Sequence, residues 1–324
     1  MRILITGGAG FIGSHLADNM LDRGHSVVAI DDLSKGSVAN IEHLSEKSAF
    51  TFVRADVRDR SALLEAARGA EVIVHLAAAK IPRYDSALWT ITTNLDGTRA
   101  ALDAAHTNKA KFVLASTSDV YGRSPAPRFA EDGDLVLGPS TSRRWSYAAT
   151  KLCDEHLTLA YKEEFGLRVS ILRLFGTYGP RQYLNWWGGP QGVFLEAITR
   201  GHPIEVHGDG TQTRCFIYVT DLVEGIARAA ERDAANGEIL NLGRDEEISI
   251  SQLARLMFAI ANDSGEPQIQ YIPYESFGGN YQDVLRRVPD LTKMLRVLDF
   301  ESSVSLREGL ERLWAWYRTR TPRK

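Results

Sequence analysis

Three glycines spaced three residues apart stand close to the start of the chain, at positions 7, 10 and 13. They follow a short apolar run, Ile3–Thr6, and precede a segment with helical periodicity over residues 11–23. Glycine has no Cβ atom, so the chain can turn sharply there and its backbone can approach a phosphate closely. A helix that starts there offers free N–H groups and a positive dipole end to the same phosphates. The arrangement predicts a dinucleotide site at Gly7, Gly10, Phe11, Ile12 and Gly13.

The N-terminal half alternates short β-branched runs with segments of helical periodicity, which is the pattern of βαβ units. Strands that are apolar on both faces need helices on both sides of the sheet. We therefore predict an α/β fold over residues 1–176, with a doubly wound parallel sheet of the Rossmann type. The predicted strands are Ile3–Thr6, Ser26–Ile30, Phe50–Arg54, Val72–His75, Phe112–Ala115 and Arg168–Leu172, and the predicted helices cover residues 11–23, 60–68, 86–107 and 146–165.

The alternation of predicted strands and helices becomes irregular near residue 177, where glycine and proline cluster. Two capping boxes, opening at Ser249 and Ser305, each precede a helix with an apolar stripe. We predict that residues 177–324 form mainly a smaller substrate-binding lobe, with some segments returning to the parallel sheet.

Composition limits the partners of this chain. Of its 324 residues, 44% are hydrophobic, which is enough to bury a large core. The 38 Lys and Arg against 41 Asp and Glu give a formal charge of −3, which argues against nucleic acid or an anionic membrane as partner. The chain has neither a membrane-spanning apolar run nor the apolar core of a signal peptide. We therefore expect a cytoplasmic protein.

The cysteines and histidines predict neither a disulfide framework nor a metal site. Cys153 and Cys215 are too few for a disulfide framework, and both are expected to be buried small hydrophobic residues. The eight histidines have no metal-ligand spacing, so no metal site is expected. His75 ends a predicted strand and is interpreted as a hydrogen-bonded core residue.

An acidic residue follows the second predicted strand. Asp31 lies 18 residues after Gly13. A carboxylate at this place accepts the ribose hydroxyls of adenosine and repels a 2′-phosphate, so it selects NAD over NADP. Asp32 is a second candidate for this contact, or else a cap for the next segment. Asp56 and Val57, after the third strand, are predicted to meet the adenine ring; the alternative for Asp56 is an exposed loop position.

Tyr147 and Lys151 lie four residues apart on a predicted helix, so their side chains point the same way. A phenol is a poor base at neutral pH, but an adjacent ammonium group and a positive nicotinamide ring stabilise its phenolate form. Thr117, just after a predicted strand, completes the set by sharing the proton of the substrate hydroxyl with Tyr147.

Further motifs follow one another in a recognisable order. They are Asp31-Asp32-Leu33-Ser34, Asp56-Val57, His75-Leu76-Ala77-Ala78, Asn94-x-x-Gly97-Thr98, Ser116-Thr117-Ser118, Val120-Tyr121-Gly122, Tyr147-x-x-x-Lys151, Arg173-x-Phe175, Tyr178-Gly179-Pro180 and Arg287-x-Pro289-Asp290. With the glycine triplet, they make the chain resemble, over essentially its whole length, the extended short-chain dehydrogenase/reductases that act on nucleotide sugars.

The resemblance implies a tightly held NAD and transient oxidation of sugar C4 by Thr117, Tyr147 and Lys151. It also implies a homodimer, with helices 86–107 and 146–165 forming a four-helix interface. The cofactor contacts that it adds are Leu76, Ala77, Ala78, Lys80 and Asn94, with Tyr147 and Lys151.

The resemblance further implies a nucleotide-sugar substrate, here expected to be a UDP-sugar. Arg214 and Arg287 would grip its diphosphate, for which a guanidinium fork is suited; the alternative for each is a surface arginine. Arg181, Trp186 and Trp187 are further candidate substrate contacts, and the two tryptophans are equally compatible with anchoring the lobe.

The reaction depends on the residues after Thr117. Family dehydratases place an Asp-Glu pair where this chain has Ser118 and Asp119, and Ser118 cannot protonate a leaving hydroxyl as a carboxylic acid can. Decarboxylases of UDP-glucuronate have Thr-Ser-Glu, one methylene longer than Thr117-Ser118-Asp119. Lys80 is instead typical of the 4-epimerases, and Gly176 replaces the Asn common to both groups. We expect a UDP-glucuronate decarboxylase, with a UDP-hexose or UDP-glucuronate 4-epimerase as the alternative. A 4,6-dehydratase and a non-catalytic NAD-binding regulator are less favoured.

Overall fold

The computed structural model describes residues 1–80, 86–262, 265–277 and 283–320. Its strands, numbered along the chain, are β1 (Arg2–Thr6), β2 (Ser26–Asp31), β3 (Phe50–Arg54), β4 (Val72–His75), β5 (Lys111–Thr117), β6 (Val169–Leu174), β7 (Gly176–Tyr178), β8 (Ile204–His207), β9 (Thr213–Tyr218), β10 (Glu238–Leu242), β11 (Glu247–Ser249), β12 (Ile269–Ile272) and β13 (Arg286–Arg287). Its helices are α1 (Phe11–Asp22), α2 (Arg60–Ala66), α3 (Ala87–Asn108), α4 (Trp145–Phe165), α5 (Gly189–Arg200), α6 (Val219–Glu231), α7 (Ile250–Ala261), α8 (Thr292–Leu298) and α9 (Leu306–Arg320).

Seven parallel strands form the central sheet in the order β10-β6-β5-β4-β1-β2-β3. Helices α1, α6 and α8 pack on one face through residues such as Leu16 and Ile226, and α2, α3 and α4 pack on the other. Strands β1 and β4 are almost wholly buried because both of their faces are covered. The doubly wound α/β sheet that the sequence predicts is therefore confirmed.

The seventh strand of this sheet comes from the C-terminal half of the chain. Strand β10 pairs in parallel with β6, and Asn241 in β10 receives a hydrogen bond from the Tyr121 hydroxyl at 2.7 Å. The side-chain amide of Asn241 donates in turn to the carbonyl of Phe129 at 2.8 Å. These contacts tie the C-terminal half to the N-terminal sheet.

The rest of the C-terminal half forms a smaller lobe of short strands and three helices. Strand β9 pairs with β7, β11 and β13, and β8 pairs with β12. Helices α5, α7 and α9 share an apolar core with these strands, in which Phe194, Leu253 and Leu313 are buried. The predicted capping box is present at the start of α7, where Ser249 and Gln252 cap each other's backbone N–H groups.

One prediction about the cysteines is wrong. Cys215 is buried in β9, as expected, but Cys153 is exposed. Cys153 lies two residues after Lys151 on α4, on the side of the helix that faces away from the sheet, so the side chain has no core to enter. Among the helices described, none is both long and apolar enough to cross a membrane.

Candidate active site

A single cleft runs along the carboxyl ends of the central strands and continues between the sheet and the C-terminal lobe. Ligands of doubly wound folds bind at this edge, where the strand order reverses between β1 and β4. The lining residues already predicted from the sequence are Gly7, Gly10, Phe11, Ile12, Gly13, Asp31, Asp32, Asp56, Val57, Leu76, Ala77, Ala78, Lys80, Thr117, Ser118, Asp119, Tyr147, Trp187 and Arg287.

The glycine turn between β1 and α1 leaves no room for side chains. Gly7 has a φ of +70°, and a Cβ on Gly13 would lie 2.1 Å from the Gly7 carbonyl oxygen. The turn therefore brings bare backbone and the first residues of α1 to the cleft. This is a cradle of the kind that a dinucleotide pyrophosphate fits.

Asp31 lies at the end of β2 with its carboxylate already ordered by backbone donors. The N–H of Ala9 donates to Oδ2 at 3.1 Å and that of Leu33 to Oδ1 at 2.8 Å. Burial raises the pKa of Asp31, while these two hydrogen bonds oppose the increase. Each oxygen keeps a lone pair for a ribose hydroxyl. Asp32 instead caps a turn, because its Oδ1 accepts from both N–H and Oγ of Ser34.

Other predicted cofactor residues divide between the cleft wall and its support. Asp56 lines the cleft, but Arg58 donates to its carboxylate at 2.5 Å and holds the pKa of Asp56 below its usual range. Asn94 does not line the cleft. Its amide exchanges two hydrogen bonds with the backbone of Ala79 and donates to Thr150 at 2.9 Å, so it fixes the strand-end loop from behind.

Thr117 and Tyr147 meet at the centre of the cleft. Both residues line it, and the Thr117 hydroxyl accepts from the N–H of Asp119 at 3.2 Å and donates to Oδ2 of the same residue at 3.5 Å. Desolvation raises the pKa of Tyr147 strongly, and Asp119 raises it further, whereas the hydrogen bond with Thr117 lowers it. Lys80 also lines the cleft, and desolvation lowers its pKa to about 8 despite the attraction of Asp119.

Lys151 is placed behind this pair and does not line the cleft. Its side chain is 1% exposed, and Nζ donates to Oδ2 of Asp154 at 3.0 Å. The two residues are one turn apart on the inner face of α4. Sequence reasoning singled out Lys151 but missed its acidic partner.

A cluster of charged groups closes the other end of the cleft. Arg287 donates to Oδ1 of Asp119 at 2.7 Å, and its second terminal nitrogen lies 3.5 Å from the Ser118 hydroxyl. Burial favours the neutral form of Asp119, but Arg287, Arg144 and Arg214 outweigh it and hold its pKa below the usual range. Asp119 is therefore an anion at neutral pH.

Two members of this cluster were missed by sequence reasoning. Oδ1 of Asp283 accepts a hydrogen bond from Arg214 at 3.0 Å, and Nη2 of Arg144 lies 3.3 Å from the same oxygen. Burial raises the pKa of Asp283, but the arginines dominate and lower it to about 2. Arg144 precedes Tyr147 by three residues on the same helical turn, a spacing that was a usable signal. No local sequence pattern indicates Asp283 as a site residue.

The remaining predicted substrate residues lie apart from the cleft or at its cofactor end. Arg181 forms an ion pair with Asp18 of α1 at 2.8 Å and is not among the lining residues. The ring of Trp186 packs on His207, 4.0 Å between centroids, also off the cleft wall. Trp187 does line the cleft.

Contacts of Gly176 and Trp187 explain two features of the lobe side of the cleft. A Cβ on Gly176 would lie 2.7 Å from the ring of Phe216, so this lobe residue excludes a larger side chain there. The indole of Trp187 lies under Nζ of Lys35, 4.1 Å from the ring centroid, beside the end of β2. Sequence reasoning missed Lys35, whose partner is distant along the chain.

Comparisons with known proteins agree with this architecture. A model of the NAD dependent epimerase/dehydratase family matches residues 3–243. A UDP-N-acetyl-alpha-D-glucosaminuronate decarboxylase of Bacillus cytotoxicus is 38% identical over 320 residues, which cover 98% of each chain. A UDP-glucuronic acid decarboxylase 1 of Arabidopsis thaliana is 36% identical, over 99% of this chain and 70% of its own length.

Solved structures are similar over the full chain. The UDP-glucuronic acid 4-epimerase of Bacillus cereus, solved with UDP-glucuronic acid and NAD, matches with a TM-score of 0.89 at 30% identity, covering 99% of this chain and 100% of its own. The UDP-glucose 4-epimerase of Thermus thermophilus, solved with NAD, matches with a TM-score of 0.85 at 28% identity, covering 98% of this chain and 99% of its own. The glycine cradle and Asp31 fit the same cofactor, NAD. The chain therefore belongs to the NAD dependent epimerase/dehydratase family, the extended short-chain dehydrogenase/reductases that act on nucleotide sugars.

Proposed function

We propose that this enzyme decarboxylates a UDP-hexuronate, with UDP-glucuronate as the first candidate. The observation that carries the proposal is the Asp119–Arg287 pair, 2.7 Å apart, beside Thr117 and Tyr147. In this proposal the anion of Asp119 faces the substituent on C5 of the sugar. Support also comes from the two relatives named above, which are decarboxylases of UDP-hexuronates.

The reaction begins with proton removal from the C4 hydroxyl. Bound NAD supplies the acceptor for the C4 hydride and brings a positive ring next to Tyr147. That charge is needed, because the protein alone raises the pKa of Tyr147 through desolvation and through Asp119. Tyr147 then takes the proton as a phenolate, and the Thr117 hydroxyl shares the hydrogen bond and orients the substrate oxygen.

The ketone at C4 makes the sugar a β-keto acid. The C5–C6 bond breaks, its electron pair moves into the C4 carbonyl to give an enolate, and CO₂ leaves. Asp119, held as an anion by the arginine cluster, repels the C6 carboxylate and favours its release as neutral CO₂. Arg287, which lines the cleft, and Arg214, which pairs with Asp283, are proposed to hold the diphosphate.

The test uses Asp119→Asn, with Asp22→Asn on the exposed end of α1 as the matched control. Wild type and both variants are incubated with UDP-glucuronate and with UDP-N-acetylglucosaminuronate, while CO₂ release, NADH absorbance and products by NMR are followed. We expect Asp119→Asn to retain NAD and to slow CO₂ release by about 10²-fold, because it removes the repelling charge. The preferred substrate identifies the sugar.

A 4-epimerase is the alternative, because Lys80 lines the cleft and the Bacillus cereus neighbour is a UDP-glucuronic acid 4-epimerase. In that case wild type releases no CO₂ and interconverts C4 epimers. The Asp119→Asn change would then have little effect, since no bond at C6 is broken. This outcome would replace the decarboxylase proposal.

A further inference from the structure

The buried acid beside Lys151 has no role in the chemistry described so far. Asp154 is 0% exposed, and its Oδ2 accepts from Nζ of Lys151 at 3.0 Å. Ionised groups are rarely enclosed in this way unless they are paired. Tyr147, Lys151 and Asp154 follow one another at spacings of four and three residues, so a single helix carries all three.

The surroundings keep this pair dry and ordered. Burial raises the pKa of Asp154, and Lys151 and the Thr98 hydroxyl of α3 oppose the increase. The Thr98 hydroxyl lies 3.1 Å from Nε2 of His75. His75 is neutral at physiological pH, because burial and the charge of Lys151 lower its pKa to about 3.

The other charged groups near this ion pair have partners of their own. Glu155, next on α4, is neutralised by Arg173 of β6 at 2.8 Å. On the cleft side, the charged group that acts on Tyr147 besides Asp154 is Asp119, which Arg287 pairs. Asp154 is therefore the negatively charged partner of Lys151.

We propose that Asp154 is a positioning residue for the reaction: its carboxylate is the counter-ion that fixes the ammonium group of Lys151 and sets the pH range in which Tyr147 accepts a proton. The proposal rests on the roles given above to Tyr147 and Lys151. Asp154 touches neither substrate nor cleft, so it acts through Lys151 and through its charge.

The opposite charges of Lys151 and Asp154 have opposite effects on the same base, Tyr147. In the role given to Lys151 above, its ammonium group, four residues from Tyr147 on α4, stabilises phenolate, and an anion paired with that ammonium group weakens the effect. After desolvation and Asp119, Asp154 contributes to the raised pKa of Tyr147. The counter-ion therefore fixes Lys151 in place and at the same time keeps Tyr147 protonated until a positive cofactor ring arrives.

The first experiment tests the pairing without substrate, by thermal unfolding of a double-mutant cycle. Lys151→Met leaves a buried carboxylate unpaired, and Asp154→Leu leaves a buried ammonium group unpaired. We expect each to lower Tm by roughly 6–10 °C, and the double variant to recover most of the loss. Losses that simply add would overturn the pairing. The double variant and Lys151→Met keep the test usable if Asp154→Leu does not fold.

The second experiment measures the ionisation of Tyr147 by ultraviolet difference titration against Tyr147→Phe, with and without NAD. Asp154→Asn keeps the shape of the side chain and removes its charge. We expect the pKa of Tyr147 to fall by about one unit, and the acid limb of the NADH-forming half-reaction to move with it. An unchanged or higher value means a merely structural role and overturns the proposal.

Glu163→Gln serves as the matched control, because it removes the same charge from the exposed C-terminal part of α4. It should leave both Tm and the Tyr147 titration unchanged. The two readouts separate this inference from the proposed function. If no sugar is decarboxylated, the unfolding cycle and the titration still report on Asp154.

Discussion

Charged side chains in this cleft are held by specific partners before any ligand arrives. Asp31 is ordered by the backbone N–H groups of Ala9 and Leu33, and Asp119 by Arg287. Such preorganisation matters because a side chain that is already fixed loses less entropy when a ligand binds. The same contacts also determine which ligands are excluded, because the Asp31 carboxylate fixed at a ribose site repels a phosphate there.

The first residue-scale prediction concerns cofactor choice. We expect wild type to bind NAD at least about tenfold more tightly than NADP, because Asp31 repels a 2′-phosphate. Asp31→Asn should narrow this ratio, whereas Asp32→Asn should not, since the Asp32 carboxylate caps the turn at Ser34. Isothermal titration calorimetry with both cofactors checks this, and equal affinity of wild type for NADP would contradict it.

Single contacts between elements hold the cleft in shape. His15 of α1 donates from Nε2 to the carbonyl of Pro180, beyond β7, at 2.9 Å. Lys35, after β2, lies over the ring of Trp187, which precedes α5, and 5.7 Å from the ring centroid of Trp89 in α3. In each case, segments that are far apart in sequence meet in the folded chain.

The His15 contact predicts a pH-dependent stability. Burial is the main reason that the pKa of His15 is lowered to about 4, so the unfolded chain takes up a proton more readily than the folded one. The free energy of unfolding therefore decreases as the pH falls from 6.5 towards 4, by about 3 kcal/mol from this residue. His15→Gln keeps a donor to Pro180 and removes the titration. Urea unfolding at several pH values should give a shallower slope for the variant; equal slopes would contradict the prediction.

The Lys35 contact predicts slow cofactor release. We expect Lys35→Ala to speed NAD dissociation by about two- to thirtyfold, because a cation–π contact contributes about 0.5–2 kcal/mol. Lys47→Ala, at an exposed ion pair on the surface, is the matched control. Stopped-flow fluorescence of the cleft tryptophans measures the rate, and identical rates for wild type and Lys35→Ala would refute the idea.

At the scale of the whole molecule, helices α3 and α4 pack side by side on one face of the sheet. Their outer faces carry apolar groups, including Leu88 at 71% exposure and Ile91 at 37%. Exposed Cys153 lies on the same side of α4. Large apolar side chains left on a helical face favour association.

This face predicts a homodimer through a four-helix interface. Light scattering at micromolar concentration should give twice the mass of the chain, and the double change Leu88→Glu and Ile91→Glu should give a folded monomer. Leu285→Glu, at an equally exposed apolar residue of the C-terminal lobe, should leave the dimer intact. A monomeric wild type would contradict the prediction.

The sequence by itself determined the features that arise within a few residues of one another. The predicted strands agree with β1–β6 to within two residues at each end, and the capping box at Ser249 is present. Glycine spacing, apolar periodicity and the i,i+4 placement of Tyr147 and Lys151 act over one or two turns of chain, so local patterns specify them.

Only the tertiary structure decided which charges meet. Arg287 and Asp119 are 168 residues apart, and Asp283 joins Arg214 across 69 residues. Arg181 does not line the cleft and instead forms an ion pair with Asp18 of α1. An ion pair depends on distance in space and on burial, neither of which is encoded in local spacing. The fold brings these segments together, and their chemistry follows from that placement.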